Sequence, residues 1–429
     1  MNRSREVLEF YFVLLVICAW FCQTFISMGV NNISSDAASY YEYFTRVFID
    51  SNFVGAGRIK YPVGTTLLQL PFLLVTLFVS NFLGININGG QSIQFQWTIF
   101  ISALFYYAVA TVIVYKIAKE KYSHIISLAS CVCLSLGTMI PVYVCERSGF
   151  SHIYGYFVCS LFFWYVSYYE KNQKRGRKLF FDIGLGAILG IAMLVRNTNI
   201  AIGFAYVFYG VDSATTLKER MRTIFSRGIL VQATVALLIL AVQMFLWRLQ
   251  TGHWMLYSYE GEAFTYKFNP QVISVLFSDA KGLFITCPIL YVGVVGAVFF
   301  YKENKEYSLS QMLIFFFITY FVSSWWCWWL GCSYSERMFC DVLCIFVLPL
   351  SAFFDKLYRW HLSLDGMKKI KLGWIPYVLY ILVVVFVILN LTWISGVRTG
   401  IMHDDNFSTW YELKRCVYEK LLNRPLANL

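Results

Sequence analysis

Apolar runs long enough to cross a bilayer recur along this chain, and they constrain its fold more than any other feature. They lie near 8–28, 63–84, 97–118, 124–144, 152–169, 180–210, 228–248, 284–301, 311–329, 339–355 and 374–395 of the 429 residues. A spanning helix takes about 20 predominantly apolar residues. Inside hydrocarbon each backbone N–H and C=O must be satisfied within the protein, so runs of this length fold as helices. Composition agrees: 14% of residues are charged, against about 25% in soluble domains. The expected fold is an all-α polytopic membrane protein of about 11–13 transmembrane or re-entrant helices.

The net charge of +11 is carried mostly in short loops between these runs. There it reports orientation and gives no sign of a nucleic-acid partner. Lys116, Lys119 and Lys121 form one block, and Lys171, Lys174, Arg175, Arg177 and Lys178 the next. Lys218, Arg220, Arg222 and Arg227 form a third, and Lys356, Arg359, Lys368, Lys369 and Lys371 the last. The positive-inside tendency puts these blocks and the N-terminus in the cytoplasm of an inner, plasma-type membrane. That assignment requires two adjustments. Arg196-Asn197-Thr198-Asn199 must break the run 180–210 into two shorter crossings, because polar residues in mid-membrane are costly. The run 63–84, with Pro71, is expected to enter and leave on one face. The segments 29–62, 145–152, 196–199, 249–283, 330–338 and 396–429 then face outward. Residues 1–395 read as one spanning domain, and 396–429 as a short tail with one helix behind a Thr409-x-x-Glu412 capping box.

Cys18, Cys22, Cys131, Cys133, Cys159, Cys340 and Cys344 sit inside apolar runs and read as small hydrophobes. Cys327 and Cys332 flank the loop after Trp325–Trp329, and no disulfide is expected there. Metal chelation by His403, Asp404 and Asp405 is not expected either, because three adjacent residues hold one ion poorly.

The chemistry-bearing residues all fall in the outward segments. Asp36 comes just after the first run and suits a general base for a hydroxyl arriving from outside; Ser34-Ser35-Asp36 equally suits a helix N-cap. Arg58 and Lys60 suit headgroup anchors or phosphate ligands. His152 opens a run, where it can donate to phosphate or sugar or sit as a plain interfacial histidine. The segment 249–283 mixes Tyr257, Tyr259, Glu260, Glu262 and Tyr266, as a sugar-binding surface or an aromatic belt does. Lys281-Gly282 puts a cation at a membrane edge. Trp325-Trp326-Cys327-Trp328-Trp329 reads as an interfacial anchor, and the loop behind it ends in Glu336-Arg337. Arg337 offers a planar fork for phosphate, or pairs with Glu336 or Asp341.

The order of these motifs resembles a family. It runs from Asp36 to Tyr41, through Tyr61-Pro62-Val63-Gly64, Ser151-His152 and Arg196-Asn197-Thr198, to Lys281-Gly282-Leu283 and Trp329-Leu330-Gly331-Cys332-Ser333-Tyr334-Ser335-Glu336-Arg337. It is similar to bacterial membrane glycosyltransferases of the C superfamily, which use polyprenyl-phosphate sugars and are related to protein mannosyltransferases. The resemblance implies an outer-face cavity formed by the first loop and later loops. It also implies inverting transfer of a sugar from a lipid-phosphate donor to a glycan, lipid or protein hydroxyl, without a cofactor or metal. Asp36 would be the base. Arg337, Lys281, Lys60, Arg58, Arg196 and His152 would hold the phosphate, and Tyr40, Tyr259, Glu260 and Tyr334 the sugar or acceptor. The chain departs from the family pattern at Ala37, where many relatives have a second acid. It departs again at Ser335-Glu336, where others have Gly-Pro, and at His152, where some have an acid. Two other functions use similar residues: a transporter or flippase of a lipid-linked or anionic solute, and a polysaccharide polymerase or ligase.

Overall fold

A computed structural model describes residues 3–29, 32–172, 178–225, 227–279, 281–303, 305–331, 333–365, 374–399 and 410–420. Among these residues every regular element is helical. The first half holds α1 (Arg3–Ser27), α2 (Asp36–Phe48), α3 (Gly64–Phe82), α4 (Ile93–Lys119), α5 (His124–Leu136), α6 (Ile140–Cys145), α7 (His152–Asn172) and α8 (Lys178–Val195). After a 3₁₀ helix at Asn197–Gly203 come α9 (Phe204–Val207), α10 (Ala214–Ile224), α11 (Arg227–Thr251), α12 (Val272–Phe277), α13 (Leu283–Thr286), α14 (Ile289–Glu303) and α15 (Lys305–Ser324). Apart from a three-residue 3₁₀ turn at Asn88–Gly90 between α3 and α4, a second 3₁₀ helix, Arg337–Phe346, leads into α16 (Val347–Asp365), and α17 (Ile375–Arg398) and α18 (Trp410–Lys420) complete the order. Eight helical stretches among the described residues are long and apolar enough to cross a bilayer. The chain is a multi-pass helical membrane protein, as its apolar runs predict. Thr409, His403, Asp404, Asp405 and Cys332 lie outside the described residues.

Two runs differ in detail from the sequence reading. The run around Pro71 is one continuous helix of 19 residues, long enough to cross rather than turn back. Proline removes one intrahelical hydrogen bond, and a spanning helix tolerates that where neighbouring groups can satisfy the freed carbonyl. The run 180–210 does break at Arg196, whose backbone is extended (φ −154°, ψ 130°) between α8 and the first 3₁₀ helix. Beyond the break the chain makes a 3₁₀ helix and a single α-turn rather than a second full crossing.

The chain forms two compact units, residues 1–113 with 142–262 and residues 114–141 with 263–429. In the first, α8 packs along α11. Gly186 and Gly190 make the close approach possible: a Cβ at Gly186 would come within 2.3 Å of the Gln232 carbonyl oxygen. Without a hydrophobic driving force between helices in lipid, small residues at such spacing let dispersion contacts form. The buried Asp182 beside this seam accepts from Tyr169 Oη (2.8 Å) and Gln232 Nε2 (2.7 Å), and Arg220 pairs with Glu170 at 2.7 Å. A buried carboxylate is tolerable because it is so well bonded. In the second unit α14 packs on α16, and a Cβ at Gly296 would sit 2.0 Å from the Pro349 carbonyl oxygen.

Candidate functional site

In the first unit the predicted residues gather around α2. Turn bonds from the amides of Ala37 and Ala38 to the carbonyls of Ser34 and Ser35 start this helix. Ser35 holds the N-cap position with φ 54° and makes no side-chain cap bond. Asp36 is the first helical residue and is partly exposed. An acid in the first turn is favoured by the helix dipole. One turn on, Tyr40 is buried, with its ring stacked on Tyr61 at 4.9 Å. Its hydroxyl is hydrogen-bonded to the Ser151 side chain and faces the Arg196 charge. Burial, with Tyr259 and Asp36 adding to it, holds the Tyr40 phenol above the usual tyrosine range despite Arg196 and the Ser151 bond. Tyr40 is therefore a neutral hydrogen-bonding group.

The helix break supplies the cation. Arg196 Nη1 donates to Ser151 Oγ at 3.1 Å and reaches His152 Nε2 at 3.5 Å. His152 is fully buried, edge-on to Tyr143 at 4.8 Å between ring centroids. Asn199, three residues past the break, is also buried, and neither polar atom of its side chain bonds a described protein group.

Arg58 and Lys60 are each met by a glutamate. Arg58 pairs with Glu260, and Lys60 pairs with Glu262 at 2.5 Å. Lys60 also lies over the rings of Tyr61 (5.5 Å) and Tyr259 (5.3 Å). Their charges are largely compensated, and what the loops offer is an aromatic surface with acids beside it. Tyr61, Ser151 and Glu262 complete this group. Only their places in the loop motifs marked them in the sequence, because neither ring stacking nor a long-range ion pair has a local signature.

In the second unit the loop 330–336 presents the other predicted group. Leu330, Gly331 and Ser335 all have positive φ (56°, 61° and 57°). Glycine accepts this freely; leucine and serine hold it only where surrounding contacts fix the chain. Those contacts are on hand. Buried Tyr334 donates to Asn390 Oδ1 at 2.9 Å, and Thr286 Oγ1 donates to Ser335 Oγ at 2.6 Å. Asn390 in turn donates to the carbonyls of Leu136 (2.9 Å) and Thr138 (2.8 Å). Tyr334 is thus bonded into the protein rather than turned toward a ligand. Buried Lys281 donates to the Gly331 carbonyl. Arg337, the first residue of the second 3₁₀ helix, is partly exposed.

Glu336 entered the sequence reading only as a partner for Arg337. It is fully buried, and neither carboxylate oxygen is hydrogen-bonded by a described protein group. Burial pushes its carboxyl well above the usual range, against the opposing pull of Lys281 and Arg337. The same unit holds an apolar groove of about 200 Å³, lined in part by Val294, Ala297, Phe315, Phe316, Ile345 and Phe346.

The helix break and its partners lie inside a segment with known relatives. Residues 90–247 match the dolichyl-phosphate-mannose-protein mannosyltransferase family. Ser151, His152 and Arg196 fall within the matched segment; Asp36 precedes it, and Lys281, Glu336 and Arg337 lie after it. The fold agrees. Two structures of the oligosaccharyltransferase from Archaeoglobus fulgidus superpose with TM-score 0.53 at 11% identity, over 96% of this chain and 58% of theirs. One is the apo form and the other, AglB, is in complex with an inhibitory peptide and a dolichol-phosphate. The chain spans little more than half the length of these proteins. No curated protein matches it. The resemblance read from the sequence, to membrane glycosyltransferases related to protein mannosyltransferases, is borne out.

Proposed function

We propose that this chain is a membrane glycosyltransferase that moves a sugar from a polyprenyl-phosphate donor to a hydroxyl of a glycan, lipid or protein, with inversion. The observation that carries the reading is the cluster at the head of α2. A partly exposed carboxylate, Asp36, stands one turn from a buried tyrosine that is itself bonded to Ser151 and faces Arg196. The match of residues 90–247 to protein mannosyltransferases supports the donor class.

The donor is activated by its leaving group, a lipid phosphate, so the protein has two tasks. Asp36 takes the proton from the acceptor hydroxyl as it attacks the anomeric carbon. Cations meet the charge that grows on the phosphate, and fixed, partly buried charges do this without reorganising. The proposed cations are Arg196 in the first unit and Lys281 and Arg337 in the second, while the charges of Arg58 and Lys60 are met by Glu260 and Glu262. Tyr40, Tyr61 and Tyr259 offer ring faces to a sugar, with Glu260 and Glu262 for its hydroxyls. The apolar groove suits the lipid. It includes Ile345, eight residues after Arg337 in a helix rising about 2 Å per residue, so it lies about 16 Å along the axis from the phosphate ligand. By the positive-inside tendency this chemistry faces the periplasm or cell exterior.

The test is transfer from radiolabelled polyprenyl-phosphate sugar in membranes. Asp36→Asn should lower the rate by about two to three orders of magnitude, the usual cost of losing one aimed group. Retention of most of the activity removes Asp36 from the chemistry. A second reading draws on the helix break itself, since interrupted spans with a polar residue line transport paths. Movement of intact lipid-linked sugar across proteoliposomes, without cleavage, would favour that reading.

A further inference from the structure

Among the described residues, the Glu336 carboxyl is the least satisfied titratable group. It is fully buried, and its two oxygens accept no hydrogen bond from any described residue. Its position is not slack. Tyr334 and Ser335, just before it, are bonded to Asn390 and Thr286, and Arg337, just after it, begins a 3₁₀ helix. The charges that act on it are Lys281, from the turn before α13, and Arg337 on its own segment. Other titratable groups stand nearby along the same stretches. Cys327 feels both cations and is pushed up by burial, so it remains a thiol. Cys287 lies 3.6 Å from Ser335 Oγ, and Asp341 sits one turn and more along the 3₁₀ helix.

A carboxylate beside two cations would normally take their hydrogen bonds and cancel one charge. Here Lys281 gives a bond to the Gly331 carbonyl instead. An unbonded buried carboxylate costs far more than an unbonded buried acid, since only the ionised form loses its hydration as a charge. The low-cost state of this group is the neutral acid, which cancels neither cation and carries one O–H donor of its own.

We propose that Glu336 serves as a carboxylic acid in the anion site of Lys281 and Arg337, donating its O–H to a phosphate oxygen of a lipid phosphate. This rests on the reading that these two cations bind the donor phosphate. It adds a residue to that site and gives the site a pH dependence. While Glu336 keeps its proton, it adds a donor to the site and no negative charge. On alkaline ionisation the donor is lost and a negative charge is placed against the ligand.

The probe is the methyl phosphodiester of farnesol, which carries one negative charge across the whole range, so the ligand does not titrate. Its affinity for the purified full chain in nanodiscs is measured from about pH 6 to pH 9.5, below the ordinary lysine range. The wild type should lose about tenfold or more in affinity over that range, the effect of one unscreened charge near the ligand. Glu336→Gln keeps the volume and a donor but cannot ionise, and should hold near the acid-side wild-type affinity throughout. Glu336→Ala should be weaker at every pH. Parallel pH profiles for the wild type and Glu336→Gln would overturn the proposal, as would weak binding by Glu336→Gln at pH 6. Arg337→Ala separates the two levels. If it abolishes binding while Glu336→Gln tracks the wild type, the phosphate site stands and the role of Glu336 falls. If the wild type binds no diester at any pH, the phosphate-site reading falls too.

Discussion

Glu336 and Arg337 are adjacent in the chain and opposite in situation. One is sealed from water with both oxygens unbonded; the other opens a helix with its side chain partly exposed. From the sequence, mutual neutralisation was an equally good reading. The unbonded carboxyl decides against a hydrogen-bonded pair between these two neighbours. Arg337→Ala should weaken binding of a polyprenyl-phosphate donor by at least about tenfold, since charge-assisted bonds contribute about 1.5–3 kcal/mol. Unchanged affinity in a folded variant would sink that role. Linkage gives a second outcome. The folded pKa of Glu336 lies above its unfolded value, so the folded state binds the proton more tightly. The contribution of this group to stability is therefore greatest in acid and falls as pH rises from the usual carboxylate range toward the raised pKa. Glu336→Gln removes that loss, so the variant should melt higher than the wild type on the alkaline side and close to it in acid, by thermal unfolding in detergent.

At the scale of the element, the 3₁₀ helix before α16 and the break after α8 are two of the places where regular spanning structure gives way. Both carry an arginine at their start, Arg337 and Arg196. The break was legible because four polar residues interrupt an apolar run. The ten-residue 3₁₀ stretch was not, since it is apolar enough to continue into a spanning helix and departs from one in hydrogen-bond register. Helix packing was not read from the sequence. Gly186 and Gly190 lie four apart, and the structure shows that Gln232 and Ala236 fill the space beside them. At Gly296 a methyl group would meet a backbone carbonyl, which cannot swing aside. Gly296→Ala should destabilise the α14–α16 pair by about 1–3 kcal/mol. Gly203→Ala, with nearest neighbours at 3.8 Å, serves as a control and should cost much less. Equal melting temperatures for the two variants would contradict this account.

For the whole molecule, the basic loops make a claim that can be checked directly. If the positive-inside tendency holds, a cysteine placed at Lys174 in a cysteine-light background should resist impermeant maleimide in intact cells and react after permeabilisation. Prompt labelling from outside would invert the assigned orientation. A cysteine at exposed Glu260 should behave in the opposite way, which makes the pair a self-contained test.

The sequence by itself determined that this chain is a bundle of membrane helices, roughly where they run, and that one of them breaks at Arg196. Such information is local: hydropathy, helical length and the cost of polar groups in hydrocarbon are properties of a window of about 20 residues. It also picked out the loops proposed to carry the chemistry. Tertiary structure alone decided which contacts those residues make. Lys60 finds Glu262 across 202 residues of chain, and Tyr40 stacks on Tyr61. Tyr334 turns inward to Asn390, and Glu336 is buried without a bond. Each outcome depends on which loops close on which, and that is set by the packing of the helices beneath them rather than by any stretch of sequence alone.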